Sequence, residues 1–476
     1  MIWNKYKCLP VQVKASIWYT ICSFLQKGIS FVVVPLYVRF LTPAEYGQWS
    51  VFQSWRDILI IFATLNLYAG VYTKAMVDNA HDRDRYTSSM QGLGTVITLA
   101  LFALYWMAHD WCNRQIGLST NYMVLLFLYF IVYPGFAFWT TRQRVEYRYR
   151  PMVAVTVLMS VLTPALSIFL LLKTDMRTSA LILGYLIIQC SIGLVCYIYQ
   201  FVKGRCFCHW TYWLRALKFN IPLIPHYLSL IVLNQSDRIM IQRFCGDGDA
   251  GVYSFAYQIA SAINVLISSI NGSRVPWTYE NLRNKVYDRL KSITNLLVVL
   301  MAVIVLLVSL LAPEVIGLLG TSDYAVAVYV IPVVTLGVFY TFIYDLYASI
   351  EFYYGATQFV MVASMIGAVL NIVLNWFFIP IYGFIAASYT TLVCYLLFMV
   401  MHYLFSRRVL REQGILVSVY DNRTVFFICG AVSVIGLGIM ATYNAPAVRI
   451  VLIVLILAVC VVKRNSILST LKEIRK

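Results

Sequence analysis

Five charged side chains lie inside long apolar stretches of the sequence, where a charge is expensive to bury: Lys27, Arg56, Asp57, Asp237 and Arg238. Charges at membrane depth usually pair with one another and line the path of a transported ion or substrate. Arg56 stands beside Asp57 and Asp237 beside Arg238, whereas the residues that flank Lys27 are uncharged. The balance is cationic, and arginine binds phosphate well. These residues therefore predict a binding site for an anion.

Polar residues also recur at helical spacing, which places them on one face of a predicted helix. The longer stripe consists of Tyr253, Tyr257, Ser261, Asn264, Ser268 and Asn271, and a shorter one of Tyr340, Tyr344, Tyr347 and Glu351. Tyrosine combines a flat apolar face with a hydroxyl group, which suits contact with sugars. Such stripes are equally typical of hydrogen bonds that hold membrane helices together. The predicted substrate-binding residues are Lys27, Arg56, Arg238, Asn234, Tyr257, Asn264, Tyr344 and Tyr347.

Three carboxylates in these stretches, Asp57, Asp237 and Glu351, are predicted to couple ion movement to transport. The segment Cys206-Phe207-Cys208-His209 superficially resembles a metal cluster. No second ligand pair follows at the spacing of a zinc site. We therefore expect no metal site, no cofactor and no catalytic residue.

The composition indicates which elements position these residues. Of 476 residues, 61% are apolar and only 12% are charged, whereas a soluble protein has about 25% charged residues. Apolar runs of about 20 residues, enough to cross a bilayer, recur along the whole chain. The expected fold is an all-α integral membrane protein with about fourteen transmembrane helices. They are predicted at 14–40, 46–75, 89–108, 120–140, 151–173, 178–202, 217–243, 250–276, 290–313, 325–353, 357–379, 383–405, 424–442 and 446–462.

The distribution of positive charge predicts the topology. Of 37 lysines and arginines, 28, including Arg274, are assigned to alternate loops and the two termini, and six to the loops of the opposite side. Because cytoplasmic loops carry the excess of positive charge, both termini are predicted to be cytoplasmic. The formal net charge of +17 is then a consequence of topology, and we expect no nucleic acid partner.

A weak internal repeat predicts two similar halves. Shifting the sequence by 204 positions superposes Arg39-Phe40 on Arg243-Phe244 and Gly47 on Gly251. Parallel repeats of this kind place the substrate site between the halves. The expected organisation is two parallel six-helix lobes, helices 1–6 in residues 1–203 and helices 7–12 in residues 204–406, around a central cavity. Residues 407–476 would add a C-terminal helix pair and a basic cytoplasmic tail.

Three stretches carry a family resemblance. They are Leu25-Gln26-Lys27-Gly28-Ile29-Ser30 with Glu45-Tyr46-Gly47, then Ser236-Asp237-Arg238 with Gly251-Val252-Tyr253-Ser254, and finally Gly367-Ala368, Asn371, Asn375, Ile379-Pro380 and Tyr382-Gly383. In this order they resemble the O-antigen and polysaccharide repeat-unit flippases of the multidrug/oligosaccharidyl-lipid/polysaccharide exporter superfamily. The resemblance covers roughly residues 14–405.

The resemblance implies a flippase that moves an undecaprenyl-pyrophosphate-linked oligosaccharide, such as an O-antigen unit of lipopolysaccharide. Transport would run from the cytoplasmic to the periplasmic leaflet of the bacterial inner membrane by alternating access. Expected partners are the lipid-linked oligosaccharide, membrane lipids, and a polysaccharide polymerase with other assembly proteins. Two alternatives stay open: a multidrug or small-anion exporter of the same fold, and a membrane-embedded polysaccharide polymerase or ligase. The enzyme is disfavoured because the loops are short and almost free of paired acids and histidines.

Overall fold

The computed structural model describes residues 9–78 and 81–462, and in these ranges the chain contains helices and no β-strand. The expectation of an all-α membrane protein is confirmed. Twelve helices in the described ranges are long and apolar enough to cross a membrane. The two other predicted spans correspond to helices that are shorter or less apolar, Pro43–Thr64 and Pro446–Val462.

The described residues divide into two compact units, one made of residues up to 41 with 48–235, the other of residues 42–47 with 236 onward. The first ten helices lie wholly or mostly in the first unit, although α2 begins in the second unit and α10 ends in it. They are α1 Val11–Phe40, α2 Pro43–Thr64, α3 Gly70–Asp78, α4 Arg83–Met107, α5 His109–Ile116, α6 Thr120–Val145, α7 Tyr149–Lys173, α8 Arg177–Gly204, α9 Trp210–Asn220 and α10 Ile224–Cys245. The helices of the second unit are α11 Asp247–Ser261, α12 Ile263–Arg283, α13 Tyr287–Leu310, α14 Ala312–Leu319, α15 Ile331–Tyr353, α16 Thr357–Tyr382, α17 Ile385–Glu412, α18 Asn422–Gly438 and α19 Pro446–Val462.

Helix α8 is the centre of packing in the first unit, where it contacts α4, α6 and α7. Small residues allow these helices to approach closely. A Cβ atom added at Gly135 of α6 would lie 2.8 Å from the Gly193 carbonyl oxygen of α8, and one added at Gly184 would lie 2.4 Å from the Ser167 hydroxyl of α7. In a membrane, where lipid is as apolar as the side chains, such close backbone packing is a principal force that associates helices.

Helix α15 is the centre of packing in the second unit, where it contacts α11, α13, α17 and α18. Almost all of its side chains are buried, including the polar ones of Thr335, Ser349 and Glu351. A helix that is buried on all sides must find hydrogen-bond partners for each polar group inside the protein. The polar residues of α15 therefore determine where its neighbours can lie.

The two glycines matched by the repeat pack reciprocally. A Cβ atom at Gly47 would lie 1.9 Å from the Asp247 carbonyl oxygen, and one at Gly251 would lie 1.9 Å from the Pro43 carbonyl oxygen. Any side chain at either position would collide with backbone. The equivalence of Gly47 and Gly251 in the sequence thus corresponds to a symmetric contact between the first turns of α2 and α11.

Three predicted helices are interrupted. The helix expected over 46–75 ends at Thr64, because Leu65 and Asn66 adopt positive φ angles of 47° and 51°. The helix expected over 217–243 contains a 3-10 turn, Ile221–Leu223, at Pro222, which lacks the N–H group that a helix interior needs. The helix expected over 250–276 is divided at Ala262.

Candidate substrate-binding and ion-coupling sites

Arg56 of α2 lies at the centre of a polar and aromatic cluster in the first unit. Its Nε and Nη2 atoms donate to one oxygen of Asp57 at 2.9 and 2.7 Å, and its guanidinium lies over the ring of Tyr185, 4.7 Å from the centroid. The Tyr129 ring packs 5.9 Å from Tyr185. Only 14% of the Arg56 side chain is exposed, against 31% of Asp57. Aromatic faces attract a cation, so α8 and α6 hold the guanidinium in one orientation.

Gln235 of α10 completes this cluster and was not predicted from the sequence. Its Nε2 atom donates to the second carboxylate oxygen of Asp57 at 3.1 Å, and its Oε1 atom accepts from the Ser54 hydroxyl at 3.1 Å. Asp57 therefore receives hydrogen bonds from both α2 and α10. The only sequence signal for Gln235 is its place beside Asn234 and Asp237 in a short polar run.

Arg238 repeats the arginine–tyrosine arrangement in the second unit. Its guanidinium lies 4.6 Å from the centroid of the Tyr257 ring on α11. Arg238 and Tyr257, both predicted to bind substrate, are therefore brought together. In both units a partly buried arginine thus lies over a tyrosine face, an arrangement that presents a fixed positive charge.

Asp237 is buried in a closed hydrogen-bond network, with 1% of its surface exposed. One carboxylate oxygen accepts from Asn375 Nδ2 at 2.7 Å. The other accepts from the Tyr253 hydroxyl at 2.6 Å and the Thr391 hydroxyl at 2.7 Å. Asn371 donates to Thr391 at 3.0 Å. The network joins α10, α11, α16 and α17, and it satisfies the carboxylate as a buried charge requires.

None of these four partners was among the predicted site residues, although Tyr253 belongs to the predicted polar stripe; the other three are Asn371, Asn375 and Thr391. The two asparagines appear in the sequence only as part of the family resemblance, without a role. Their spacing of four residues on α16 puts them on one helix face, which is the signal that could have connected them with Asp237.

Glu351 of α15 contacts His402 of α17, a residue that the sequence analysis missed. The His402 Nδ1 atom lies 3.0 and 3.1 Å from the two carboxylate oxygens, and both side chains are fully buried. The Tyr344 ring stacks on the imidazole at 5.3 Å between centroids. Among the described residues, His402 Nε2 has no hydrogen-bond partner. A buried carboxylate–imidazole pair of this kind can hold or release a proton.

Tyr347, by contrast, packs against α18. Its side chain is 2% exposed, and its hydroxyl donates to Asn422 Oδ1 at 3.0 Å at the start of α18. Tyr347 thus faces α18, whereas Tyr344 faces His402, so the predicted tyrosine stripe is divided between two neighbours.

The remaining predicted residues lie apart from these clusters. Lys27 is exposed on α1 and Asn234 is exposed on α10, where the Asn234 amide donates to the Leu230 carbonyl oxygen at 2.7 Å. Asn264 is half-buried near the start of α12.

Arg274 was assigned to a cytoplasmic loop on sequence grounds, but it lies on α12 and is only 3% exposed. Its Nε atom donates to Asn271 Oδ1 at 3.0 Å, and Nη2 donates to the Asp345 carbonyl oxygen at 3.3 Å. Asn271 in turn donates to the Asp345 carboxylate at 3.0 Å. Arg274 falls within the helix predicted over 250–276, but it stands near the predicted end of that helix, and a count of charges by side of the membrane does not show whether such a residue is buried.

No group of three or more His, Cys, Asp or Glu side chains in the described ranges is arranged to hold a metal ion. Cys206 and Cys208 are free thiols.

Comparison with known proteins identifies the family to which the chain belongs. The family described as polysaccharide biosynthesis protein matches residues 13–282, more than half of the chain, and the MatE family matches residues 222–377. An uncharacterized membrane protein of Haemophilus influenzae is 25% identical over 75% of this chain and 88% of its own length. Lsg locus putative protein 1 of the same organism is 23% identical over 57% of this chain and 67% of its own length.

Solved structures establish the fold. The chain is similar to the lipid II flippase MurJ in an inward closed conformation, with a TM-score of 0.66, 16% identity, and coverage of 95% of this chain and 100% of MurJ. It is also similar to an inward-facing MATE-family multidrug resistance transporter, with a TM-score of 0.59, 14% identity, and coverage of 86% and 99%. The chain therefore belongs to the polysaccharide biosynthesis protein family and has the fold of flippases and exporters of the MOP superfamily.

Proposed function

We propose that the protein is a flippase for an undecaprenyl-pyrophosphate-linked oligosaccharide, such as an O-antigen repeat unit. It would move this substrate from the cytoplasmic to the periplasmic leaflet of the bacterial inner membrane, with both of its own termini in the cytoplasm. The family match and the MurJ-like fold support a lipid-linked substrate. The lobes of residues 1–203 and 204–406 would alternate access to a cationic central cavity.

The observation that carries this proposal is the geometry of Arg56. Its bonds to Asp57 use Nε and Nη2, and a guanidinium has five N–H donors in all. Donors remain that can reach a phosphate oxygen, and the ring of the half-buried Tyr185 lies beside them. Arg238 over Tyr257 provides a second position of the same chemistry. A pyrophosphate with an attached glycan needs this combination of cations and aromatic rings.

Deletion of the gene in its host tests the proposal directly. We expect loss of surface polysaccharide and accumulation of undecaprenyl-linked repeat units, measured by mass spectrometry of extracted lipids. Expression of the wild-type chain should restore both. Normal surface glycan without accumulated intermediate, in a host that lacks a second flippase, would refute the flippase proposal.

A multidrug or small-anion exporter is the second candidate, favoured by the MatE match over residues 222–377. Expression in a host without its own exporters distinguishes the two. Resistance to organic cations, with no change in glycan-linked lipids, would identify an exporter.

We further propose that Asp57, Asp237 and Glu351 couple an ion gradient to transport, with His402 as the partner of Glu351. A charge that moves through 100 mV gains about 2.3 kcal/mol, which is enough to bias a two-state carrier.

For this coupling, we expect Glu351→Gln to lower glycan export and to make the remainder insensitive to a protonophore that inhibits the wild type. The amide keeps the shape of the carboxyl group but cannot exchange a proton with His402. Glu412→Gln is the matched control, because Glu412 is the exposed last residue of α17 and pairs with Arg408 on the same helix. If the amide variants of all three carboxylates export at the wild-type rate and stay sensitive to the protonophore, coupling through them is wrong.

A further inference from the structure

A polar cavity lies within the second unit, at the C-terminal end of α17. Its volume is about 350 Å³, which falls within the range of small-molecule sites, about 300–1,000 Å³. Its walls come from the end of α15, the last three turns of α17, the connection over residues 413–421 and the start of α18. None of the residues predicted to bind substrate lines it except Tyr347.

Two arginines give the cavity its charge. Arg407 and Arg411 are four residues apart, one helical turn, and both line it. Arg407 Nη1 donates to the Tyr403 hydroxyl at 3.1 Å, and its guanidinium lies 5.6 Å from the centre of the same ring. Within the part of the chain that the structure describes, no carboxylate forms an ion pair with either arginine. Their charge is therefore available to an anion.

The opposite wall is a chain of hydrogen bonds that orders polar groups. The Tyr347 hydroxyl donates to Asn422 Oδ1 at 3.0 Å, and Asn422 Nδ2 donates to the Ser418 hydroxyl at 2.9 Å. The Ser418 hydroxyl donates to the Tyr420 carbonyl oxygen at 2.5 Å. Of these groups, Asn422 has a second Nδ2–H donor, which together with the two arginines forms a site for a small anionic group.

The rim indicates where the ligand comes from. Leu416 is 88% exposed and Val417 is 56% exposed, and both line the cavity. Apolar side chains so far out of the protein, beside arginines at a helix end, are typical of residues that enter the membrane interface. A soluble ligand would not need this apolar rim, whereas the acyl chains of a lipid would contact it.

We propose that this cavity binds the phosphate of an anionic phospholipid headgroup from the cytoplasmic leaflet, held by Arg407 and Arg411. The acyl chains of the lipid would extend past Leu416 and Val417 into the bilayer. The site is separate from Arg56 and Arg238, so its failure would leave the proposed transport function untouched. Its place in the cytoplasmic leaflet follows from the topology proposed above.

Arg408 provides a matched control on the same helix. It pairs with Glu412 at 2.9 Å and lies over the Phe359 ring at 5.4 Å, and it does not line the cavity. If anionic lipid were attracted to interfacial arginines in general, Arg408 would contribute to binding. If the lipid binds in this cavity, Arg408 would not contribute.

The test measures thermal unfolding of the purified full-length chain in detergent while dioleoyl phosphatidylglycerol is added. We expect a saturable rise in melting temperature for the wild type and for Arg408→Gln. For Arg407→Gln/Arg411→Gln the half-saturating lipid concentration should rise about tenfold or more, as loss of charge-assisted bonds to a phosphate predicts. Arg411→Gln alone leaves the Arg407–Tyr403 contact intact and should show a smaller shift in the same direction.

Two other results would overturn the proposal. One is that Arg408→Gln weakens the rise in melting temperature as much as the double variant does, or that the double variant keeps the wild-type rise. Either would mean that the lipid is attracted without a specific site at Arg407 and Arg411. The other is the full effect from inorganic phosphate alone at the same concentrations, which would identify a soluble phosphate compound as the ligand. Dioleoyl phosphatidylcholine, which carries no net charge, should give no saturable effect.

Discussion

Arg56→Glu should reduce export of the lipid-linked glycan by about tenfold or more, since removing one partner of a poorly solvated charge pair costs about 2–5 kcal/mol. The substitution removes the cation that lies over Tyr185 and places a carboxylate beside Asp57. Two negative charges would then repel a pyrophosphate. The measurement is the ratio of undecaprenyl-linked repeat units to surface polysaccharide in a deletion strain that expresses the variant.

Arg114→Glu is the control with the same change of charge, because Arg114 is exposed at the end of α5. It should export like the wild type. Arg56→Lys should retain part of the activity, because it keeps the charge but loses the planar fork of donors. Wild-type export by Arg56→Glu, at equal protein level in the membrane, would exclude Arg56 from substrate binding.

Asp237→Ala should destabilise the protein by about 3 kcal/mol or more, because buried donors left without an acceptor each cost about 1–3 kcal/mol. Asn375, Tyr253 and Thr391 would lose their common acceptor, and they lie on three different helices. We expect a lower melting temperature in detergent and less protein in the membrane.

Asp288→Ala is the corresponding control. Its side chain is 97% exposed and pairs with Lys291 on the same helix, and such surface pairs contribute about 0–1 kcal/mol. Asp237→Asn separates structure from coupling, since it preserves volume and removes the charge. An Asp237→Ala protein as stable as Asp288→Ala would show that the network does not hold α10, α11, α16 and α17 together.

The class of protein was readable from the sequence because the bilayer imposes strict rules on composition. A chain that crosses lipid must satisfy its backbone internally, so the long apolar runs could only be helices. Charge in the loops, through the positive-inside rule, predicts a topology, and this topology stays a prediction. The reciprocal packing of Gly47 and Gly251 was signalled by the repeat, because close backbone contacts require glycine on both sides.

Interruptions of helices were less predictable. At Pro222 the missing N–H group was a visible signal, and the 3-10 turn forms there. At Leu65 and Asn66 the apolar periodicity contained no signal for a break in the helix. The positive φ angles there accompany local hydrogen bonds, such as the one from the Asn66 N–H to the Thr64 hydroxyl at 3.2 Å.

The sequence by itself showed that Lys27, Arg56, Asp57, Asp237, Arg238 and Glu351 stand as charged residues in apolar runs. Only the tertiary structure decided their partners. Asp237 meets Asn375 across 138 positions and Glu351 meets His402 across 51, and no local pattern encodes such distances. A charge in an apolar run is costly wherever the helix packs, so its presence is a property of the sequence. Which donor compensates that cost depends on which helix faces are in contact, and packing alone settles that.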